Sequence, residues 1–166
     1  MYTVQMNDVD LNCLKDSKKL SSFSIRVISF NIWNDQLSIP GILDLSLSIN
    51  VTKKLSADIQ FSTKVERKFG LAWIDLPCLA GIGACDKQSL CDLIKQACKT
   101  NGFIRKNNQN TKLHVPAISI LREKSAKLVK PVTTGQYRFK VIFFETKSKT
   151  TVGCVTGYLT LLKPKI

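Results

Sequence analysis

The sequence predicts an all-β domain built from two antiparallel sheets, with one short amphipathic helix set in a cluster of cysteines. Two observations carry the sheets. Residues 43–51, "LDLSLSINV", alternate without a slip: Leu43, Leu45, Leu47, Ile49 and Val51 on one side, Asp44, Ser46, Ser48 and Asn50 on the other. Successive side chains of a strand point to opposite faces, so this stretch is a strand with one apolar and one wet face. Most of the remaining chain consists of comparable short segments separated by turn residues, the pattern of a sandwich or barrel.

Taken in order, residues 1–12 read as a flexible N-terminus ahead of Cys13. "FSIRVISFNIW" (23–33) is rich in aromatic and β-branched residues and reads as a strand, with Pro40-Gly41 as a turn before residues 43–51. Between 57 and 67, Ala57, Ile59, Phe61 and Val65 alternate with Asp58, Gln60, Lys64 and Glu66, a second two-faced strand. Residues 70–77, 113–121, 136–146 and 151–162 supply four more, and Pro116, which has no N–H to donate, places the second of these at an edge or a bulge. The helix is read from "DKQSLCDLIKQAC", where Leu90, Leu93, Ile94 and Ala97 recur at helical spacing after an N-cap at Asp86. The polar segment 99–112 that follows reads as an exposed loop.

The chain of 166 residues suits one domain, 1–166, with a substantial core. No apolar run approaches the roughly 20 residues of a membrane-spanning helix. Six cysteines, an even number, point to disulfides formed in an oxidising compartment. Zinc is disfavoured because the clustered Cys78, Cys85, Cys91 and Cys98 are more widely spaced than the paired ligands of structural sites. The sequon at Asn50 lies on the wet face of its strand and fits a secreted or lysosomal chain whose signal has been removed. A net charge of +13 favours anionic surfaces and polyanions. Nucleic acid ranks low among them, since no basic helix, zinc finger or aromatic RNA-binding signature accompanies the charge. Catalysis finds no complete constellation. His114 is the one histidine, so no triad and no metal set of the histidine-carboxylate type can be assembled without it. The sequence therefore reads as non-enzymatic, with no catalytic residues, no metal and no cofactor.

Alternation alone leaves two interiors open. The apolar faces of two sheets interdigitate in a sandwich, or stand apart in a cup and enclose a ligand. A set of landmarks favours the cup. A tryptophan-containing strand ends in Pro77-Cys78, a cysteine follows after six residues and another after five more, and Asp92-Leu93 come next. "IPG" (39–41), "TTGQYR" (133–138) and "VGC" (152–154) complete the series in order. In these landmarks the chain, from Cys13 nearly to its end, resembles the MD-2-related lipid-recognition family. The resemblance implies a β-cup whose sheets enclose an apolar cavity, and a protein that lifts a lipid from a membrane and presents it to a lipid-processing hydrolase or a receptor.

It also implies disulfides between Cys13 and Cys154, Cys78 and Cys85, and Cys91 and Cys98. On that reading Leu45, Leu47, Ile49, Ile59, Phe61, Trp73, Phe139 and Val141 line the cavity, which would hold a bound lipid or fatty acid. Leu79, Ile82, Val129, Pro131 and Val132 form its mouth, which docks peripherally on an anionic membrane, and Tyr137 and Arg138 meet the headgroup. The competing expectation is a secreted signalling, pheromone, venom or innate-immune module in which the same cup serves another task.

Overall fold

The computed structural model describes residues 2–13, 23–32, 36–37, 41–55, 58–78, 84–93, 111–120 and 134–163. Within them the chain is nearly all strand, in two antiparallel sheets. The strands are β1 (Tyr2–Leu11), β2 (Ile25–Ile32), β3 (Gln36–Leu37), β4 (Gly41–Val51), β5 (Ile59–Phe69), β6 (Ala72–Asp75), β7 (Cys85–Ser89), β8 (Thr111–Ile120), β9 (Gly135–Glu145) and β10 (Thr151–Leu162). The large sheet runs β3-β1-β10-β9-β5-β6, with β7 pairing to the first half of β5 and β6 to the second; the small sheet runs β2-β4-β8.

The N-terminal segment that reads as flexible contains a strand. Tyr2–Leu11 pairs with β10 along its length. A bulge hid this strand from the alternation. Val4 and Met6 stand opposite Leu161 and Leu159, the register slips between Asn7 and Asp10, and Asp8 takes a positive φ of 43°. Val9 and Leu11 therefore return to the same apolar face as Met6, and all three pack on the core. Beyond the strand Asn12 reaches across to β2, where its amide accepts from Val27 N at 2.7 Å and donates to Val27 O at 2.9 Å. A buried side chain here completes a strand edge and ties the two sheets together.

The expected helix begins later than its N-cap reading placed it. Asp86 lies in β7 rather than at an N-cap, and one helical turn, α1 (Leu90–Leu93), follows; residues 94–98 lie outside the described residues. Pairing of residues 85–89 with Gln60–Thr63 took the backbone groups that a longer helix would have used. Pro116 behaves as expected. It lies in β8, an edge strand, where the register against β4 slips between Leu43 and Leu45.

One hydrophobic cluster joins the inner faces of the sheets. Ile25, Val27, Leu47, Ile49 and Val51 of the small sheet meet Ile59, Phe61, Phe139, Phe143 and Val155 of the large one. The walls touch directly where the Phe30 and Phe139 ring centroids stand 5.0 Å apart. They also approach closely near Gly153, where an added Cβ would lie 2.9 Å from the Ile25 carbonyl oxygen. The polar face of β4 is less wet than alternation implied: Ser48 is buried and Asn50 half-buried, because β4 is the central strand of its sheet.

Candidate functional site

The side chains read from the sequence as cavity lining divide between two faces. Leu47, Ile49, Ile59, Phe61 and Phe139 are buried in the inter-sheet cluster, and Val141 packs against it. The Leu45 side chain lies outside the description; its backbone pairs with Ile32 and Val115. Trp73 does not belong to this set. In register it stands opposite Lys68, one position out of step with Val65 and Arg67, and so it occupies the outer face of the large sheet.

Tyr137 and Arg138, read together as headgroup contacts, point in opposite directions because they are consecutive on β9. Tyr137 is buried on the inner face. Arg138 is held outside by Glu66, with Nε donating to Oε2 and Nη2 donating to Oε1 at 2.9 Å. The Arg138 guanidinium also lies 4.6 Å over the Trp73 ring, which in turn contacts Tyr158 at 5.9 Å between centroids. Lys64 completes the group, 3.3 Å from Glu66 and 3.4 Å from Asp75. Hydrogen bonding from Arg138 holds the Glu66 carboxyl below the usual glutamate range, against the opposing effect of its burial, and Lys64 adds to the lowering. The same contacts raise Arg138 and Lys64. This outer-face cluster of paired charges clamps β9, β5 and β6 together.

Cys13 pairs with Cys154, and Cys78 with Cys85, as the family resemblance implied. Cys91 is disulfide-bonded as well, and Cys98 lies outside the described residues. The first bridge closes the domain with its half-cystines 141 positions apart, and with Phe23 and Ile142 it forms a satellite core. The expected mouth residues Leu79, Ile82, Val129, Pro131 and Val132 all lie outside the described residues. Asn50 of the sequon is half-buried with its Oδ1 covered, while the Thr52 hydroxyl donates to the carbonyls of Phe23 and Ser24. That is not the open position implied by alternation. Among the described residues no group of three or more histidine, cysteine or carboxylate side chains is arranged to hold a metal.

Between the walls, burial is uneven. Ile25, Ile59 and Phe143 are sealed at one end, and Tyr137 and Leu161 are covered at the other. Midway, inner-face Phe30, Val65 and Val141 are partly buried, beside the buried Phe139 and Val155. Val141 matters most here. It sits on β9 with β10 and β1 on one side and β5 and β7 on the other, the position that a filled sandwich covers best.

No family model matches the chain. Over 68 residues it is 29% identical to the ganglioside GM2 activator of Mus musculus, a segment that covers 41% of this chain and 35% of that protein. The chain thus spans about a third of the length of the relative it matches. Together with the two-sheet fold and the disulfides, this supports a GM2-activator-like relationship over the matched segment.

Sequence reasoning missed Arg67. It lies on the inner face, opposite Tyr137 and Ile74, and its signal was present in the alternation of residues 57–67, where position 67 shares the parity of Ile59, Phe61 and Val65. A charge at an apolar parity position stands out only once the strand's true face is known.

Proposed function

We propose that the protein is a non-catalytic lipid carrier that takes a glycosphingolipid or phospholipid from a membrane into the space between its sheets and presents it to a lipid-processing hydrolase or a receptor. The partial burial of Val141 at the centre of the inner wall is the observation that carries this reading. The local likeness to a ganglioside GM2 activator and the landmark cysteines support it.

The energetics suit a carrier. Removing an acyl tail of about 16 carbons from water is favourable by roughly 12 kcal/mol, at about 0.8 kcal/mol per methylene. Moving it from a bilayer into an apolar interior nearly cancels this, so uptake and release are both accessible. Selectivity then rests with polar groups that meet the head, while the interior supplies volume and apolar lining. The net charge of +13 suits an anionic membrane surface, to which each lysine near the surface adds about 1 kcal/mol.

The test is native mass spectrometry of the purified protein, followed by organic extraction and by transfer of a fluorescent sphingolipid or phospholipid between vesicles. A co-purifying lipid and protein-dependent transfer are the expected results. A protein that carries no lipid, and moves none between vesicles, overturns the reading.

A further inference from the structure

A cleft of about 280 Å³ opens on the large sheet, lined by Ser62 and Lys64 of β5, Lys140 and Ile142 of β9, Ala84 just before β7 and Asp86 within it. It lies on the outer face, because Lys140 and Ile142 alternate along β9 with Phe139, Val141 and Phe143, which pack toward the inter-sheet cluster. Its charges are not balanced as a solvated face would balance them. Lys140 stands directly opposite Lys64 in the β5–β9 register, and like charges so placed destabilise a sheet. Lys64 is neutralised by Glu66 and Asp75, whereas the partly buried Lys140 makes no ion pair among the described residues.

Asp86 makes none either among the described residues, although it lines the same cleft as Lys140. A bulge sets its position. The β5–β7 register slips between Phe61 and Thr63, so Asp86 and Lys87 both oppose Ser62, and Lys87 takes a positive φ of 56° that a lysine rarely adopts. An ammonium and a carboxylate therefore face one cleft without meeting, while Ile142 and Ala84 add apolar lining and Ser62 a hydroxyl. The volume is below the roughly 300–1,000 Å³ of sites for drug-sized ligands, which limits the occupant to a small molecule. A molecule with an anionic and a cationic end joined by a short hydrocarbon link matches these groups, and a phosphate answers the two facing lysines best because it carries more charge than a carboxylate.

We propose that this cleft binds a short aminoalkyl phosphate, free or as the head of a phospholipid, with its phosphate on the Lys140 ammonium and the Ser62 hydroxyl and its ammonium on the Asp86 carboxylate. Lys64 stays with Glu66 and Asp75 and adds positive charge at the edge. The site lies outside the space between the sheets and does not rest on the lipid-carrier reading.

The experiment titrates the full chain with O-phosphoethanolamine, inorganic phosphate and ethanolamine, followed by calorimetry, for the wild type, Lys140→Gln, Lys140→Arg, Asp86→Asn and Lys68→Gln, the last an exposed lysine of β5 that does not line the cleft. The wild type is expected to hold phosphoethanolamine about fivefold more tightly than either half, the upper end for one solvent-exposed charge pair. Lys140→Gln should remove the advantage over ethanolamine and Asp86→Asn the advantage over phosphate, while Lys140→Arg and Lys68→Gln keep both. Should one of the two neutralised variants fail to fold, the other decides, since each removes a different half of the preference. A wild type that binds phosphoethanolamine no better than its halves, or a preference that survives both Lys140→Gln and Asp86→Asn, overturns the site. Flotation with phosphatidylcholine vesicles, with and without phosphatidylethanolamine, then assigns the source: a gain on adding phosphatidylethanolamine that Asp86→Asn abolishes supports the lipid head, and no gain supports the free molecule. Loss of lipid from the interior, with the phosphoethanolamine preference intact, would remove the carrier reading alone.

Discussion

Replacing Val141 with phenylalanine asks whether the space between the sheets is filled. Val141 occupies the middle strand of the large sheet, on the inner face, and is only partly buried. The substitution adds roughly four carbons at the point where a close-packed sandwich has no room. In a filled interior such overpacking costs about 1–3 kcal/mol. For a domain of this size each kcal/mol lowers Tm by roughly 2–4 °C, so the melting point would fall by about 2–12 °C. In a hollow interior the ring enters free space, Tm stays within about 2 °C of the wild type, and the ring competes with the guest. Differential scanning calorimetry of the lipid-free protein, paired with lipid uptake measured by native mass spectrometry, reads both quantities. The carrier reading expects an unchanged melting point and several-fold less bound lipid. A large drop in melting point with lipid uptake unaltered would refute the reasoning, because it would place Val141 in ordinary packed core. The internal control is Gly153→Ala at the packed end, where the new Cβ would meet the Ile25 carbonyl oxygen at 2.9 Å and Phe143 Cδ2 at 3.2 Å. Backbone cannot swing aside as a side-chain end can, so this smaller change is expected to cost about 1–3 kcal/mol in the same scan.

Three further outcomes are expected. Removing the Cys13–Cys154 bridge with a double serine variant releases a loop whose ends are 141 positions apart, worth about 5 kcal/mol in the chain-entropy model, and guanidinium unfolding should show most of that loss. Glu66→Gln should destabilise the protein by about 1 kcal/mol at neutral pH, the low end for a charge-assisted pair because Arg138 is partly exposed. Since the folded-state pKa of Glu66 is depressed, its contribution is complete above the unfolded value of roughly 4.3 and is lost as pH falls through the folded one. Urea titrations from pH 7 to pH 3 should therefore show the wild type and variant converging at the acid end. Asn12→Ala leaves Val27 N–H and C=O unpaired in a buried position and should cost about 1–3 kcal/mol by chemical denaturation.

Much of the architecture was legible in the chain. Leu47, Ile49 and Val51 alternate with polar neighbours because their face packs against the other sheet, and the predicted strands at 23–33, 57–67, 113–121, 136–146 and 151–162 coincide with β2, β5, β8, β9 and β10. Where reading failed, a local signal had been overridden. The bulge at Asp8 broke the period of β1, and strand pairing of 85–89 with β5 displaced the helix start read at Asp86 to Leu90. The candidate site was legible only in part. Leu47, Ile49, Ile59, Phe61 and Phe139 reach the interior as their parity requires, but Trp73 and Arg138, conspicuous by residue type, belong to the outer clamp with Glu66.

The sequence by itself determined that the chain forms strands, which residues share a face within each strand, and that cysteines at its two ends can tie the domain shut. Tertiary structure alone decided which of those faces looks inward, that Arg67 stands inside while Arg138 stands outside, and how near the walls approach each other at Gly153 and at the Phe30–Phe139 contact. The physical reason is that alternation has a period of two and carries no origin. A strand's parity becomes a direction only when its partners' hydrogen bonds fix its register, and a gap between sheets is a property of two faces together.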